Sequence, residues 1–128
     1  MLTTKKLYTI SGRVFEGDHR GSSLGFPTAN MRLHKSIPHG IYAAKVAING
    51  KEYNAATFVG SAQTFMKTQI LVESYIFDFT GNLYGKWLTV KLCEKIRENE
   101  KFNSVEELVA QMQKDIKKIK EYFLDQQS

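Results

Sequence analysis

The chain has 128 residues, one cysteine, three histidines and a formal net charge of +5. That length suits one domain, which buries roughly two-thirds of its unfolded surface and needs no disulfide or metal to fold. The lone Cys93 excludes an internal disulfide and points to a reducing compartment, and no apolar run is long enough for a signal-peptide core or a bilayer span, so a cytoplasmic setting is expected.

The first four-fifths reads as β-structure. "LYTISGRVFEG" is a short strand that runs into the loop "FEGDHRGSSLGFPTAN", rich in glycine and charge. "GIYAAKVAINGKEYNAATFVG" signals a hairpin: two alternating runs meet at Asn49-Gly50, a dipeptide that tolerates positive φ in a tight turn. "ILVESYIFDF" predicts a strand over 70–79, "TGN" turns it, and "LYGKWLTVKLCEKI" predicts another over 83–96. Five or six short strands suggest a closed barrel over about 7–97, because closure removes exposed edges.

The last fifth changes period, predicting a helix over about 104–124. Ser104 and Glu107 form a capping box. Val105, Leu108, Met112, Ile116, Ile119 and Phe123 then recur every three or four residues as one apolar stripe, suited to packing on the barrel or plugging one end. Lys114, Lys117, Lys118 and Lys120 fall on the other side, so much of the positive charge reads as a solvated helix face rather than a nucleic-acid patch. No repeat or linker divides residues 1–128.

Four features carry candidate chemistry. Glu73 shares its strand face with Leu71, Tyr75, Phe77 and Phe79. It is either a rim carboxylate reaching water or a lysine, or a general base in apolar surroundings. Gly12, Gly17, Gly21 and Gly25 recur every four or five residues, near Arg13, Arg20 and Ser23. Such a loop either brings backbone N–H groups to a phosphate or is simply flexible, and it lacks the Walker "GK[ST]". In "PTAN", Thr28 and Asn30 are two residues apart and can point the same way from an extended segment. They are either hard ligands for Mg²⁺ that arrives with a nucleotide or ordinary turn residues. "IRENEKFNS" places Arg97 and Phe102 in a loop that either closes over a flat ligand or caps the helix, with Phe102 as its hydrophobic staple. His19, His34 and His39 lie in loop-like sequence without cysteine partners, which speaks against a structural zinc site.

In order along the chain, "GRVFEGDHRGSSLGFPTAN", "PHGIYAAKV", "FVGSAQTF", "VESYIFDF", "LYGKWLTV" and "IRENEKFNSVEEL" resemble riboflavin kinases, from about Ser11 to Phe123. The resemblance implies a mainly β fold, a six-stranded Greek-key barrel with a C-terminal helix. It also implies transfer of the γ-phosphate of ATP to the 5′-hydroxyl of riboflavin, giving FMN and ADP. Thr28 and Asn30 would then hold Mg²⁺, with Zn²⁺ or Mn²⁺ as alternatives. The nucleotide side would be Gly12, Arg13, Gly17, Arg20, Gly21, Ser23, Pro27, Thr28, Asn30 and Tyr42. Glu73 would take the hydroxyl proton, with Phe26, Arg97 and Glu98 also on the flavin side. The implied partners are riboflavin and MgATP, with no nucleic acid or membrane, and the expected state is a monomer.

The chain departs from the family pattern at Gln63, where bacterial relatives often have proline, and at Ser23, where some have lysine. Many bacterial relatives carry this module behind an adenylyltransferase domain. This chain begins almost at the kinase module, so FAD synthesis is not expected of it. Two other readings stand beside the kinase. One is a flavin-binding regulator with weak catalysis. The other is a basic barrel that binds RNA or protein, although Tyr75, Phe77 and Phe79 lack the interleaved basic residues such a surface uses.

Overall fold

The computed structural model describes residues 7–17, 24–63 and 68–127. In chain order it contains β1 Tyr8–Arg13, β2 Ala29–Arg32, β3 Gly40–Ile48, β4 Lys51–Gln63, β5 Thr68–Ile76, β6 Trp87–Arg97 and α1 Val105–Gln126. The strands form one antiparallel sheet in the order β1-β6-β3-β4-β5-β2. Strands β3, β4 and β5 pair in succession and β6 returns beside β3, which is a Greek key. Past the end of β1, the Phe15 N–H donates to the Asn30 carbonyl on β2 at 3.0 Å. That bridge brings the two outer strands together and nearly closes the barrel, as the strand pattern predicts.

Side-chain alternation fills the interior. Tyr42, Ala44, Val46 and Ile48 of β3 meet Leu88, Val90 and Leu92 of β6, together with Met31, Val59 and Val72. Burying each large aliphatic side chain contributes about 1.5–3 kcal/mol. The Asn49-Gly50 turn joins β3 to β4 with φ of 52° and 82°, both in the positive region that the tight hairpin turn requires.

Two predicted strand boundaries need correction. Strand β6 starts at Trp87, not at residue 83. Residues 83–86 form a turn instead: the Lys86 N–H donates to the Leu83 carbonyl at 2.9 Å, and Gly85, with φ 78°, donates to the Val14 carbonyl at 2.8 Å. Strand β5 ends at Ile76 rather than at 79. Asp78 adopts φ 59° and breaks the alternation. Phe77 keeps the outward face it was expected to share with Glu73 and Tyr75, but Phe79 leaves that face and packs against the interior cluster.

Helix α1 starts as its capping residues predict. The Ser104 hydroxyl accepts from the Glu107 N–H at 3.1 Å. The Glu107 carboxylate accepts from the Asn103 N–H at 3.1 Å, one residue further back than the usual reciprocal bond. The helix lies on the barrel's outer wall and does not plug an end. Ile119 and Phe123 form a second cluster there with Ala43, Phe77 and Cys93. Lys114, Lys117, Lys118 and Lys120 are all exposed, although the Lys120 ammonium lies back over the Phe77 ring at the edge of the stripe, 5.2 Å from its centroid. No helix among the described residues is long and apolar enough to cross a membrane.

Candidate functional site

The site begins with alternation on β5. Val72 and Ile76 point into the barrel, so Leu71, Glu73 and Tyr75 point outward, toward the wall that α1 partly covers. The backbone register then sets the neighbours of Glu73. Asn30 lies directly opposite on β2, and Phe58 lies opposite on β4. Phe58 pairs with Ile41 of β3, and Ile41 pairs with Arg97 of β6. Asn30, Glu73, Phe58, Ile41 and Arg97 thus form one row across five strands. Four interstrand steps make it roughly 19 Å long. The β3–β6 register shifts on either side of Tyr42 and Ala43, and Ile41 has Arg97 as its partner beyond the second shift.

A cavity of about 900 Å³ lies between this row and the helix. Glu73 and Thr28 line one part of it, and Phe58, Ile41 and Ala56 supply apolar floor. Residues 99–104 form a side wall, and Leu108 and Met112 of α1 form the roof. The slot is therefore on the barrel's flank beneath the helix, not at a rim. Its volume is within the range of small-molecule sites.

The sequence-predicted residues divide by position. Thr28 and Glu73 line the cavity, and Asn30, 7% exposed, sits beside Glu73 at the end of the row. The Asn30 amide nitrogen donates to the Thr28 carbonyl at 3.5 Å, so the two donors of "PTAN" stay together. Gly17 packs on this bracket: a Cβ there would come within 2.6 Å of the Asn30 side chain. A glycine is needed for the loop to approach so closely. Gly12 pairs with Leu88 inside β1. The Arg13 guanidinium donates to the Gly85 carbonyl at 2.7 Å, on an exposed edge. Phe26 meets the ring of Tyr75 edge-on at 5.6 Å, and Tyr75 lines the cavity. Pro27 is exposed, immediately before Thr28. Arg20, Gly21 and Ser23 lie outside the described residues.

Tyr42 stands apart from the slot. Its ring is in the barrel interior, 1% exposed, and its hydroxyl donates to the Pro38 carbonyl at 2.5 Å. Burial pushes its phenol above the usual tyrosine range, with Tyr8 and Glu98 adding to the shift. Glu98 is exposed and pairs with Lys95 at 2.5 Å.

Arg97 lines the cavity but is tied to the helix. Its Nε and Nη2 donate to the two carboxylate oxygens of Asp115 at 2.8 and 2.7 Å. Its Nη1 donates to the Glu98 carbonyl at 3.0 Å, and the guanidinium lies 5.9 Å from the Phe102 ring centroid. Phe102, expected as the hydrophobic staple, lines the cavity together with Leu108.

Sequence reasoning missed Asp115, Gln111 and Asn99. Asp115 is 5% exposed and also accepts from Gln111 at 2.9 Å. Asn99 donates to the Val59 carbonyl at 3.1 Å. The signal for Asp115 is in the chain: a carboxylate three residues after Met112 and four before Ile119 falls on the apolar stripe. No comparable signal marks Asn99. Among the described residues no three His, Cys, Asp or Glu side chains cluster as a metal site. A cation held here would rely on the hard oxygens of Thr28 and Asn30, with phosphate and water completing its shell.

Comparisons with known proteins agree with this architecture. A family model described as riboflavin kinase (flavokinase) matches residues 4–123. A bifunctional riboflavin kinase/FMN adenylyltransferase of Haemophilus influenzae is 40% identical over 121 residues, covering 92% of this chain and 39% of the relative. A solved structure described as a macrolide-efflux protein from Streptococcus pneumoniae superposes with a TM-score of 0.77 at 36% identity, covering 85% of this chain and 37% of that one. The crystal structure of riboflavin kinase from Trypanosoma brucei gives a TM-score of 0.65 at 21% identity, covering 91% of this chain and 79% of that one, a likeness of fold. The chain spans about two-fifths of the length of the curated bifunctional relatives.

Proposed function

The chain belongs to the riboflavin kinase family, matched over residues 4–123, and on that footing we propose that it phosphorylates riboflavin, using ATP and a divalent cation to give FMN and ADP. The observation that carries this reading is the cross-strand pair Asn30–Glu73 beside a cavity that Thr28 and Glu73 both line. Phosphoryl transfer needs positioning and neutralised charge more than covalent help. The two ends of the row divide those tasks.

Thr28 and Asn30 would hold Mg²⁺ through a hydroxyl and an amide oxygen. The cation would supply charge neutralisation on the β- and γ-phosphates. Gly17, close against Asn30, would leave room for its own backbone to approach the same phosphates. The flavin ring fits the apolar part of the slot, over Phe58, Ile41 and Ala56 and under Leu108 and Met112. Its ribityl chain then runs along the row toward Glu73. The 5′-hydroxyl oxygen forms a bond to the γ-phosphorus while the bond from that phosphorus to the β–γ bridging oxygen breaks. Glu73 takes the hydroxyl proton, and ADP carries away the electron pair of the broken bond. A buried single cysteine fits a reducing, cytoplasmic setting for this reaction.

Chromatography of a mixture of the protein, riboflavin, Mg²⁺ and ATP tests the proposal. FMN and ADP are expected in equal amounts. Flavin quenching without FMN would favour the regulator, and no flavin binding would favour a barrel that serves another partner.

A further inference from the structure

Asp115 is an expensive residue where it stands. It is 5% exposed on the stripe that faces the barrel, where Met112, Ile116 and Ile119 are its neighbours. A buried ion pair is a weak source of stability compared with well-packed apolar residues. What the pair does have is geometry. Asp115 takes both edge donors of Arg97 and is itself held by Gln111. Arg97 ends the five-strand row, and its Nη1 donates to the Glu98 carbonyl and lies 3.9 Å from the Glu100 carboxylate. One guanidinium thereby joins the floor of the cavity, its side wall and its roof.

The position of the pair along α1 matters as well. The apolar cluster that anchors the helix to the barrel contains Ile119 and Phe123, with Ile116 and Tyr122 packed against it. The stretch that roofs the cavity is earlier, at Val105, Leu108 and Met112. Asp115 and Ile116 also line the cavity and sit at the boundary, and the bond from Asp115 to Arg97 ties the roofing half of the helix to β6. On the far side of the wall, Asn99 is pinned to β4 over Gly60, where a Cβ would come within 2.8 Å of the Asn99 amide.

We propose that Asp115 is a positioning residue for riboflavin: by fixing Arg97 it sets the spacing between the helix and the strand row, and so the width of the flavin slot. This rests on the flavin reading of the cavity given above. Asp115 itself is not expected to touch the reacting atoms.

Steady-state kinetics of the full chain test the proposal. Asp115→Ala is expected to raise KM for riboflavin about tenfold, with the KM for MgATP little changed, because the lost interaction orders only the flavin wall. Asp115→Asn, which keeps the shape and one acceptor oxygen, should fall between wild type and Asp115→Ala, and it serves if the alanine variant does not fold. Leu92→Ala, in the barrel interior, supplies the comparison for lost stability alone. It should lower the melting temperature at least as far without raising KM for riboflavin. An unchanged riboflavin KM in both Asp115 variants, or an equal rise in Leu92→Ala, would overturn the proposal. Wild-type protein that binds riboflavin but makes no FMN would sink the phosphotransfer reading instead. Quenching of riboflavin fluorescence by the same variants would then read the slot directly, with weaker binding by Asp115→Ala expected and equal binding overturning it. Wild type that binds no riboflavin would end both.

Discussion

Val72 and Glu73 are chain neighbours on β5, yet they belong to different regions. Val72 is sealed among aliphatic side chains inside the barrel, and Glu73 faces a cavity of about 900 Å³ beneath α1. The interior is almost wholly apolar and gains its energy from burial. The seam under the helix mixes an apolar floor with Glu73, Arg97, Asn99 and Asp115. The comparison separates two demands on one strand. One face builds a rigid frame, and the other holds chemistry at positions that the frame dictates.

If that division is right, substitutions on the two faces should fail in different ways. The largest effect is expected at Glu73. Glu73→Gln should lower turnover by about a hundredfold or more, the usual size of a lost general base, while the melting temperature and riboflavin binding stay near wild type. Wild-type turnover in that variant would remove Glu73 from the mechanism. Leu92→Ala should do the reverse, costing about 2–5 kcal/mol in urea unfolding, because Leu92 is fully buried in the interior. A riboflavin KM that moved with it would blur the two regions.

Asn30 tests the seam's other end. Asn30→Ala is expected to weaken MgATP binding about tenfold, ~1.4 kcal/mol, with riboflavin binding spared. Unchanged MgATP affinity by calorimetry would count against the bracket. The smallest effect is expected on the solvent side, at the Glu52–Lys91 pair, 2.6 Å apart and partly exposed. The hydrogen bond from Lys91 holds the Glu52 carboxyl below its usual range, against an opposing push from desolvation. A lowered folded pKa means that the stabilisation is present above the ordinary glutamate value, about 4.3, and is lost as pH falls through the lower folded value. Glu52→Gln should therefore cause a small loss of thermal stability at neutral pH that fades in acid and in high salt. A difference that persisted in acid would contradict the assignment.

The two regions also differ in how far the chain alone reveals them. The interior is legible because alternation is local: Tyr42, Ala44, Val46 and Ile48 announce their common face. The Asn49-Gly50 turn and the Ser104 cap are legible for the same reason. Strand ends are less so, since Gly85 and Asp78 stop β6 and β5 through backbone conformations that an alternating pattern does not show. At the seam, Thr28, Asn30 and Glu73 stand out as polar groups in unusual places, but their adjacency depends on a β2–β5 register far from local sequence. Arg97 reads as a loop residue, and only the fold brings it to Asp115, 18 residues away.

The position of bound riboflavin is the central question. A structure of the protein with riboflavin and MgADP tests this directly. The flavin ring should lie between α1 and the Phe58–Ile41 part of the row, with the 5′-hydroxyl in hydrogen-bond reach of Glu73 and the cation on Thr28 and Asn30. A flavin bound elsewhere on the barrel, or a 5′-hydroxyl directed away from Glu73, would contradict it.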